Sequence, residues 1–213
     1  MKIGIIGACG KAGHTLLMEA SMRHHEVTAI LRNREKISNP YIDVIEKDVF
    51  ELTSQDLQQF DVVVNAFGSL PGEEHLHVKF GRYLISLLEG SQTRLFVVGG
   101  AGSLLIDGNT RLIDIPDYPE EYREIANQQL QNLLDLQNSS IKWTFLSPSA
   151  LFDSDGPRTG HYILGKDHLL LNSQHISYVS YADYAVAALD EIESPNHENI
   201  RFTVASENAT SSS

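Results

Sequence analysis

The 213-residue sequence predicts an α/β fold in which helices cover both faces of a parallel β-sheet. Short apolar runs alternate along the chain with longer segments in which apolar residues recur every three or four positions. This alternation is typical of a parallel sheet built from right-handed crossovers. The first two-thirds of the chain therefore predict a doubly wound sheet. Residues 147–205 are expected to contribute in part a small C-terminal lobe on the substrate side.

The strand predictions depend on apolar runs that end at turn residues. Residues 61–66 read DVVVNA, a β-branched run suited to a central strand. Thr53 and Asp56 form a capping pattern, and Pro119 marks the start of a helix. Residues 147–165 show few regular signals. The predicted strands are residues 2–6, 26–31, 42–46, 61–66, 95–98, 143–146, 177–180 and 201–204. The predicted helices are residues 11–24, 53–60, 76–88, 120–137 and 181–193.

Composition and charge exclude several classes of protein. The net charge is −12 and no basic face is visible, so a nucleic-acid partner is not expected. No apolar run approaches the roughly 18 residues that would span a membrane. Cys9 is the only cysteine, which excludes a disulfide framework and predicts a cytoplasmic protein. We expect one domain over residues 1–205, a flexible tail over residues 206–213, and a monomer or homodimer.

A glycine-rich turn connects the first predicted strand to the first helix, and it reads Gly7-Ala8-Cys9-Gly10-Lys11-Ala12-Gly13. Gly7 allows a sharp turn, Gly10 allows backbone N–H groups to approach a pyrophosphate, and Gly13 allows the helix to pack closely. The helix N-terminus favours an anion. The turn therefore predicts a Rossmann-type dinucleotide site; the alternative is an ordinary tight turn without a ligand. Its candidate cofactor-binding residues are Gly7, Cys9, Gly10, Lys11, Ala12 and Gly13.

The residues after the second strand predict which dinucleotide binds. An NAD-binding chain usually has an acidic residue at this position, which holds the ribose 2′-hydroxyl. Here the strand ends in Arg32-Asn33-Arg34, and Lys36 follows. An arginine can pair with a 2′-phosphate and stack on adenine, so Arg32, Asn33 and Lys36 predict NADPH. The alternative is a solvated surface turn.

Two further segments follow strands and are expected to contact the adenosine half of the cofactor. Asp48-Val49 follows the third strand and is placed beside the adenine. Ala66-Phe67-Gly68 follows the fourth strand, and its backbone is placed along the adenosine ribose. Both assignments depend on where strand carboxyl ends lie in an open α/β sheet.

Motifs that extend along nearly the whole chain point to one family. They are Gly7-Ala8-Cys9-Gly10-Lys11-Ala12-Gly13, Leu31-Arg32-Asn33, Asp48-Val49-Phe50, Val98-Gly99-Gly100-Ala101-Gly102-Ser103-Leu104, Ser147-Pro148-Ser149, Arg158-Thr159-Gly160-His161-Tyr162 and Asp183-Tyr184-Ala185-Val186-Ala187. The chain resembles the atypical short-chain dehydrogenase/reductases. Within them it is similar to the NAD(P)H-flavin reductase group, which is related to biliverdin-IX-beta reductase and to NmrA-like, nitrogen-regulator-like NAD(P)-binding proteins.

The resemblance has one departure that bears on chemistry. Typical members of the wider superfamily use a serine after the fifth strand and a Tyr-x-x-x-Lys pair, in which the tyrosine donates a proton. Here Tyr122 is followed four residues later by Ala126 instead of lysine. The departure fits the flavin-reductase-like group, in which cofactor and acceptor supply most of the chemistry.

The resemblance also implies positions for the reacting end of the site. Ser103 is placed near the nicotinamide, where it is either a hydrogen-bonding residue or an ordinary loop residue. Pro148 lines the other side, and Tyr122 is a candidate proton donor. Residues 151–165 are expected to form the acceptor pocket. Within them, Gly156-Pro157 and Gly160 suggest a shaped, mobile loop.

These expectations favour an oxidoreductase that moves hydride from NADPH to a small planar acceptor such as FMN, FAD or a quinone. Two alternatives stay open. One is a non-catalytic NAD(P)-binding module that senses redox state, and the other is a nucleotide-sugar epimerase or dehydratase. No metal site is expected, because His75 and His77 lie two positions apart on a helix and face different directions.

Overall fold

A computed structural model describes residues 1–207 and contains an eight-stranded sheet between two layers of helices. The strands are β1 (Lys2–Ile6), β2 (Glu26–Leu31), β3 (Asp43–Glu46), β4 (Val62–Asn65), β5 (Arg94–Val98), β6 (Trp143–Ser147), β7 (Leu151–Asp153), β8 (Tyr162–Gly165), β9 (Tyr178–Ser180) and β10 (Arg201–Ser206). The helices are α1 (Lys11–Met22), α2 (Ser54–Leu57), α3 (Leu76–Leu88), α4 (Glu120–Gln137) and α5 (Tyr181–Glu193).

The strand order is β3-β2-β1-β4-β5-β6-β10-β8, and only β8 at the edge runs antiparallel to its neighbour. This order confirms the predicted Rossmann-type doubly wound sheet. The chain builds outward in one direction from β1 to β3 and in the other from β4 to β6. A crevice therefore opens at the carboxyl ends of β1 and β4, where ligands bind in sheets of this kind.

Two apolar clusters hold the helices to the two faces of the sheet. On one face, α1 and α5 cover the sheet with side chains such as Leu16 and Leu189. On the other face, α2, α3 and α4 contribute Leu57, Phe80 and Leu133. Every residue of β4 is buried, as expected for a central parallel strand. The core therefore lies along the whole sheet and holds its carboxyl edge in a fixed position.

The C-terminal third lies partly within the main layers and partly outside them. Helix α5 packs against α1, and β10 pairs with β6, so both belong to the main layers. Residues 147–165 contain β7 and β8, which the sequence did not predict; β7 pairs with β9 in a separate two-stranded sheet. These strands have three and four residues, and their side chains are exposed or half-buried, so they give no alternating apolar pattern.

Several element ends also differ from the predictions. Helix α1 ends at Met22 instead of residue 24, because His24 adopts a left-handed conformation with φ of 61°. Helix α2 stops at Leu57. The predicted tail was expected to begin at Ser206, but Ser206 is a buried residue of β10. Residues 208–213 lie outside the described part. Within residues 1–207, no helix is long and apolar enough to cross a membrane.

Candidate dinucleotide-binding site

The glycine turn after β1 is shaped by close backbone approaches. Gly7 has φ of +77°, and a methyl group added to it would lie 2.3 Å from the Ala66 carbonyl oxygen. A methyl group on Gly13 would lie 2.1 Å from the Gly7 carbonyl oxygen. The Gly10 N–H donates to that same oxygen at 2.9 Å. Larger residues at Gly7 and Gly13 would push α1 and the end of β4 away from the turn.

Helix α1 begins at this turn with unused hydrogen-bond donors. Gly10 is its N-cap and provides no side-chain cap. The N–H groups of Lys11, Ala12 and Gly13 have no acceptor within the helix, because the first turn of any α-helix leaves its donors free. Together with the helix dipole they fit a pyrophosphate. Cys9 is exposed in the same turn.

The basic residues after β2 lie one strand away from the turn. Ile30 of β2 pairs with Ile6 of β1, so Arg32 follows β2 at the same edge as the turn. Arg32 and Lys36 are exposed and form no ion pair with any of residues 1–207. Their charges are therefore available to an anion.

Two of the three residues between them, Asn33 and Arg34, have structural partners. The Asn33 side-chain oxygen accepts from the Glu35 N–H at 2.8 Å, which leaves its amide nitrogen for other contacts. The Arg34 guanidinium donates to the Ile42 carbonyl at 3.2 Å. Arg34 therefore stabilises the connection to β3, which separates its role from that of Arg32.

The segments after β3 and β4 continue the same edge. Asp48 caps the short turn Val49–Glu51, and its carboxylate accepts from the Phe50 N–H at 3.0 Å. After β4, the Ala66 N–H donates to the Ile6 carbonyl at 3.0 Å, which holds the backbone beside the glycine turn. The structure therefore brings Ala66 next to the turn and leaves Asp48 and Val49 two strands further out.

Phe67 and Gly68 have different environments. Phe67 follows Ala66 and packs its ring against Phe80 at 5.2 Å between centroids. A methyl group on Gly68 would meet nothing within 4 Å. Packing therefore explains Phe67, whereas no steric reason requires a glycine at position 68.

Ser103 and Pro148 lie past the ends of β5 and β6. Ser103 is buried, and its hydroxyl oxygen accepts from the Arg201 guanidinium at 3.1 Å. Arg201 also pairs with Asp167 at 2.8 Å. Ser103 is thus held by Arg201, whose guanidinium Asp167 also holds, and the hydroxyl hydrogen of Ser103 is left to donate elsewhere. Pro148 is buried directly after β6.

The two tyrosines near the start of α4 have different surroundings. Tyr122 is 55% exposed. Ala126 lies against the loop after β5, since a methyl group on Gly102 would be 2.7 Å from its Cβ. The Tyr118 hydroxyl would be 3.4 Å from that same methyl group, and burial raises the pKa of Tyr118. The tyrosine beside this loop is therefore Tyr118. The Tyr-x-x-x-Lys spacing did not select it, because the residue four positions after Tyr118 is Tyr122 and not lysine.

The rim segment, residues 153–162, crosses the carboxyl edge after β7 and is tied to α5. The buried Asp183 carboxylate accepts from the Thr159 N–H and the Gly160 N–H at 2.8 Å each. It also accepts from the Thr159 hydroxyl at 2.7 Å. The sequence did not predict these bonds, because Thr159 and Gly160 lie more than 20 positions from Asp183 in the chain.

The rim segment is also tied to α1. Arg158 donates to the Glu19 carboxylate at 2.8 and 2.9 Å. Glu19 is 2% exposed, and its bonds to Arg158, followed by those to Arg23, hold its pKa below the ordinary value although burial raises it. The Lys11 ammonium donates to the Ser154 hydroxyl at 3.2 Å. The rim segment therefore meets the glycine turn directly.

These features define a Rossmann-type dinucleotide-binding protein. The chain belongs to the NAD(P)H-binding family, whose family model matches residues 7–192. YwnB of Bacillus subtilis is 59% identical over 211 residues, covering 97% of this chain and 99% of YwnB.

Two solved structures are also similar over almost the whole chain. A Streptococcus pneumoniae protein named a putative NADH-flavin reductase is 44% identical, with a TM-score of 0.93 over 97% of this chain and all of its own. A Bacteroides thetaiotaomicron protein named a putative epimerase is 36% identical, with a TM-score of 0.85 over 96% of each chain. Their names refer to different reactions, so the site residues must decide between them.

Proposed function

We propose that this chain is a single-domain cytoplasmic oxidoreductase that takes hydride from NADPH and transfers it to a planar small molecule such as FMN, FAD or a quinone. The observation that carries the proposal is the glycine turn, where Gly7 and Gly13 allow close backbone approaches that any Cβ would block. Membership of the NAD(P)H-binding family supports it. So does the similarity to the pneumococcal protein, whose name gives a flavin as acceptor.

Arg32 and Lys36 support NADPH over NADH. Both are unpaired cations within the described residues, at the edge where the adenosine ribose of a dinucleotide lies. The nearby carboxylate of Glu46 accepts from the Arg34 N–H at 3.0 Å. Glu46 therefore already has a partner, whereas Arg32 is available for the 2′-phosphate.

The surroundings of Ala126 support a planar redox acceptor over a sugar. A bound nicotinamide supplies the hydride, and the residues here bind and orient the two reactants. Ala126 provides no cation beside the loop after β5, and Tyr122 is exposed. A flavin or quinone takes up hydride with little need for a protein acid, whereas epimerase chemistry on a sugar needs one.

Two binding titrations test the cofactor assignment. We expect the protein to bind NADPH at least tenfold more tightly than NADH, and Arg32→Asp to abolish that preference. Lys2→Asp is the matched control, because it makes the same charge change at the opposite edge of the sheet, where Lys2 is exposed. Equal affinities of the natural chain for the two cofactors would contradict the NADPH assignment.

Turnover tests the reaction itself. We expect NADPH absorbance to fall when FMN, FAD or a quinone is added to the purified protein. The second candidate function is a non-catalytic module that senses NAD(P) redox state, and the absence of a lysine at Ala126 favours it equally. Tight NADPH binding with no turnover on any of these acceptors would support that module and refute the oxidoreductase.

A further inference from the structure

Two amide side chains interrupt the apolar, sheet-facing side of α4. They are Gln129 and Asn132, and each lies against a glycine. A methyl group on Gly81 of α3 would be 1.7 Å from the Asn132 amide nitrogen. That nitrogen donates to the His77 carbonyl at 3.1 Å. Asn132 therefore has a structural role, since it joins α4 to the first turn of α3.

Gln129 has no such explanation. A methyl group on Gly100 would be 1.9 Å from the Gln129 side-chain oxygen, so this oxygen rests on the Gly100 α-carbon. Gln129 is half-buried, and its side-chain amide forms no hydrogen bond with any of residues 1–207. Gln128, on the outer side of the helix, donates instead to Glu124 at 2.8 Å. The amide of Gln129 is therefore held in place by packing while both its polar atoms stay available.

Gly100 lies at the same edge of the sheet as the glycine turn. Val97 of β5 pairs with Asn65 of β4, which pairs with Ile6 of β1. Gly100 is the second residue after the end of β5, and β5 is two strands away from β1 in the sheet. Neighbouring strands are about 4.8 Å apart, so Gly100 lies roughly 10 Å along the edge from the turn. This distance fits a ribose attached to a pyrophosphate that binds at α1.

We propose that Gln129 binds the nicotinamide-side ribose of the dinucleotide through its side-chain amide. An amide carries both donors and an acceptor, and a ribose diol offers both as well. The proposal rests on dinucleotide binding at the glycine turn. Gln129 belongs to no spacing motif. It lies about one helical turn after Ala126, and Ala126 is the position at which the wider superfamily has its lysine.

The test compares the affinity for NADPH with the affinity for a ligand that contains only the adenosine half of it. Gln129→Met keeps the length of the side chain and its helix propensity but removes the amide. We expect this variant to bind NADPH about tenfold more weakly, as loss of one or two hydrogen bonds requires. Its affinity for adenosine 2′,5′-bisphosphate, which lacks the nicotinamide half, should not change. Gln128→Met is the matched control and should bind both ligands normally.

A second variant keeps the test independent of how Gln129→Met folds. Gly100→Ala retains the amide but displaces it from the α-carbon, so it should reproduce the selective loss of NADPH affinity. Unchanged NADPH affinity in both variants would overturn the role of Gln129, as would equal weakening of both ligands. Failure of the natural chain to bind either NADPH or NADH would instead refute the proposed function.

Discussion

Two segments border the carboxyl edge of the sheet, and they are held in opposite ways. The rim segment, residues 153–162, is anchored by residues distant in sequence, chiefly Asp183 of α5 and Glu19 of α1. The second segment is the β4 loop, residues 67–75. Within residues 1–207, the hydrogen bonds of the β4 loop connect residues no more than four positions apart. The β4 loop follows a strand of the main sheet, and the rim segment follows β7 of the small sheet. Of the two, only the rim segment is tied by polar bonds to elements distant in the chain.

The difference indicates which side of the crevice can open. Opening the rim segment would separate buried carboxylates from their donors, and hydrogen bonds to charged groups contribute about 1.5–3 kcal/mol each. Opening residues 68–75 of the β4 loop breaks only local bonds and exposes little new apolar surface, because Leu70 is already 68% exposed and Phe67 stays packed against Phe80. Segments of low local stability are those that admit ligands. We therefore expect the β4 loop to move when cofactor enters, while the rim segment stays in place.

The largest expected effect comes from removing the central anchor of the rim segment. Asp183→Ala removes a fully buried carboxylate and leaves the N–H groups of Thr159 and Gly160 without their acceptor. We expect a loss of about 3 kcal/mol in the free energy of unfolding, measured by urea denaturation, and new protease cleavage within residues 153–162. Asp183→Asn retains an acceptor oxygen and should lose about half as much. A loss below about 1 kcal/mol for Asp183→Ala would mean that the rim segment is held by other contacts.

The sequence predicts the sheet well because strand and helix periodicities are local properties. The central run 61–66, the glycine turn and the helix 120–137 each carry their signal within a few residues. The anchoring of the rim segment is not local, since Arg158 and Glu19 lie 139 positions apart. Gly156-Pro157 and Gly160 therefore predicted a shaped, mobile loop but gave no sign of its distant anchors.

The candidate site also contains both residues with a local sequence signal and residues without one. Gly7 to Gly13 and Arg32 lie in short motifs, and the fold places them together at one edge. Tyr118 and Gln129 lie in no motif, so only the packing of α4 against the loop after β5 identifies them. Sequence reasoning thus finds the residues whose role depends on their neighbours in the chain, and it misses those whose role depends on a contact between elements.

The second prediction concerns the anchor on α1. Glu19→Gln should lower the free energy of unfolding at neutral pH by about 2 kcal/mol, because it removes the charge that accepts from Arg158 and Arg23. The pKa of Glu19 in the folded protein lies below its ordinary value of 4.5. The ionised carboxylate therefore stabilises the protein fully above this value, and the contribution is lost as pH falls through the lower folded-state pKa.

Denaturation at several pH values checks this prediction. The difference between the natural chain and Glu19→Gln should be largest near neutral pH and should shrink as pH falls below 4.5. Glu26→Gln is a suitable control, because Glu26 is exposed at the start of β2. A constant difference across the whole pH range would show that the ionised form of Glu19 contributes nothing.

A smaller effect is expected from one hydroxyl of the rim segment. Thr159→Ala removes the bond to the Asp183 carboxylate but keeps both backbone donors. The expected loss is about 1 kcal/mol in the free energy of unfolding, since Thr159 is exposed and water can replace part of the bond. Thr159→Ser should restore most of it. If Thr159→Ser is as unstable as Thr159→Ala, the methyl group and not the hydroxyl is responsible.

The smallest effect is expected in the β4 loop. Leu70→Ser should change the free energy of unfolding by less than about 0.5 kcal/mol, because the Leu70 side chain is 68% exposed. Amide hydrogen exchange followed by mass spectrometry should nevertheless find faster exchange in residues 67–75 than in residues 153–162, both in this variant and in the natural chain. NADPH should slow exchange in the β4 loop more than in the rim segment. Equal protection of the two segments without cofactor would remove the difference between them, and it would mean that the crevice opens by another route.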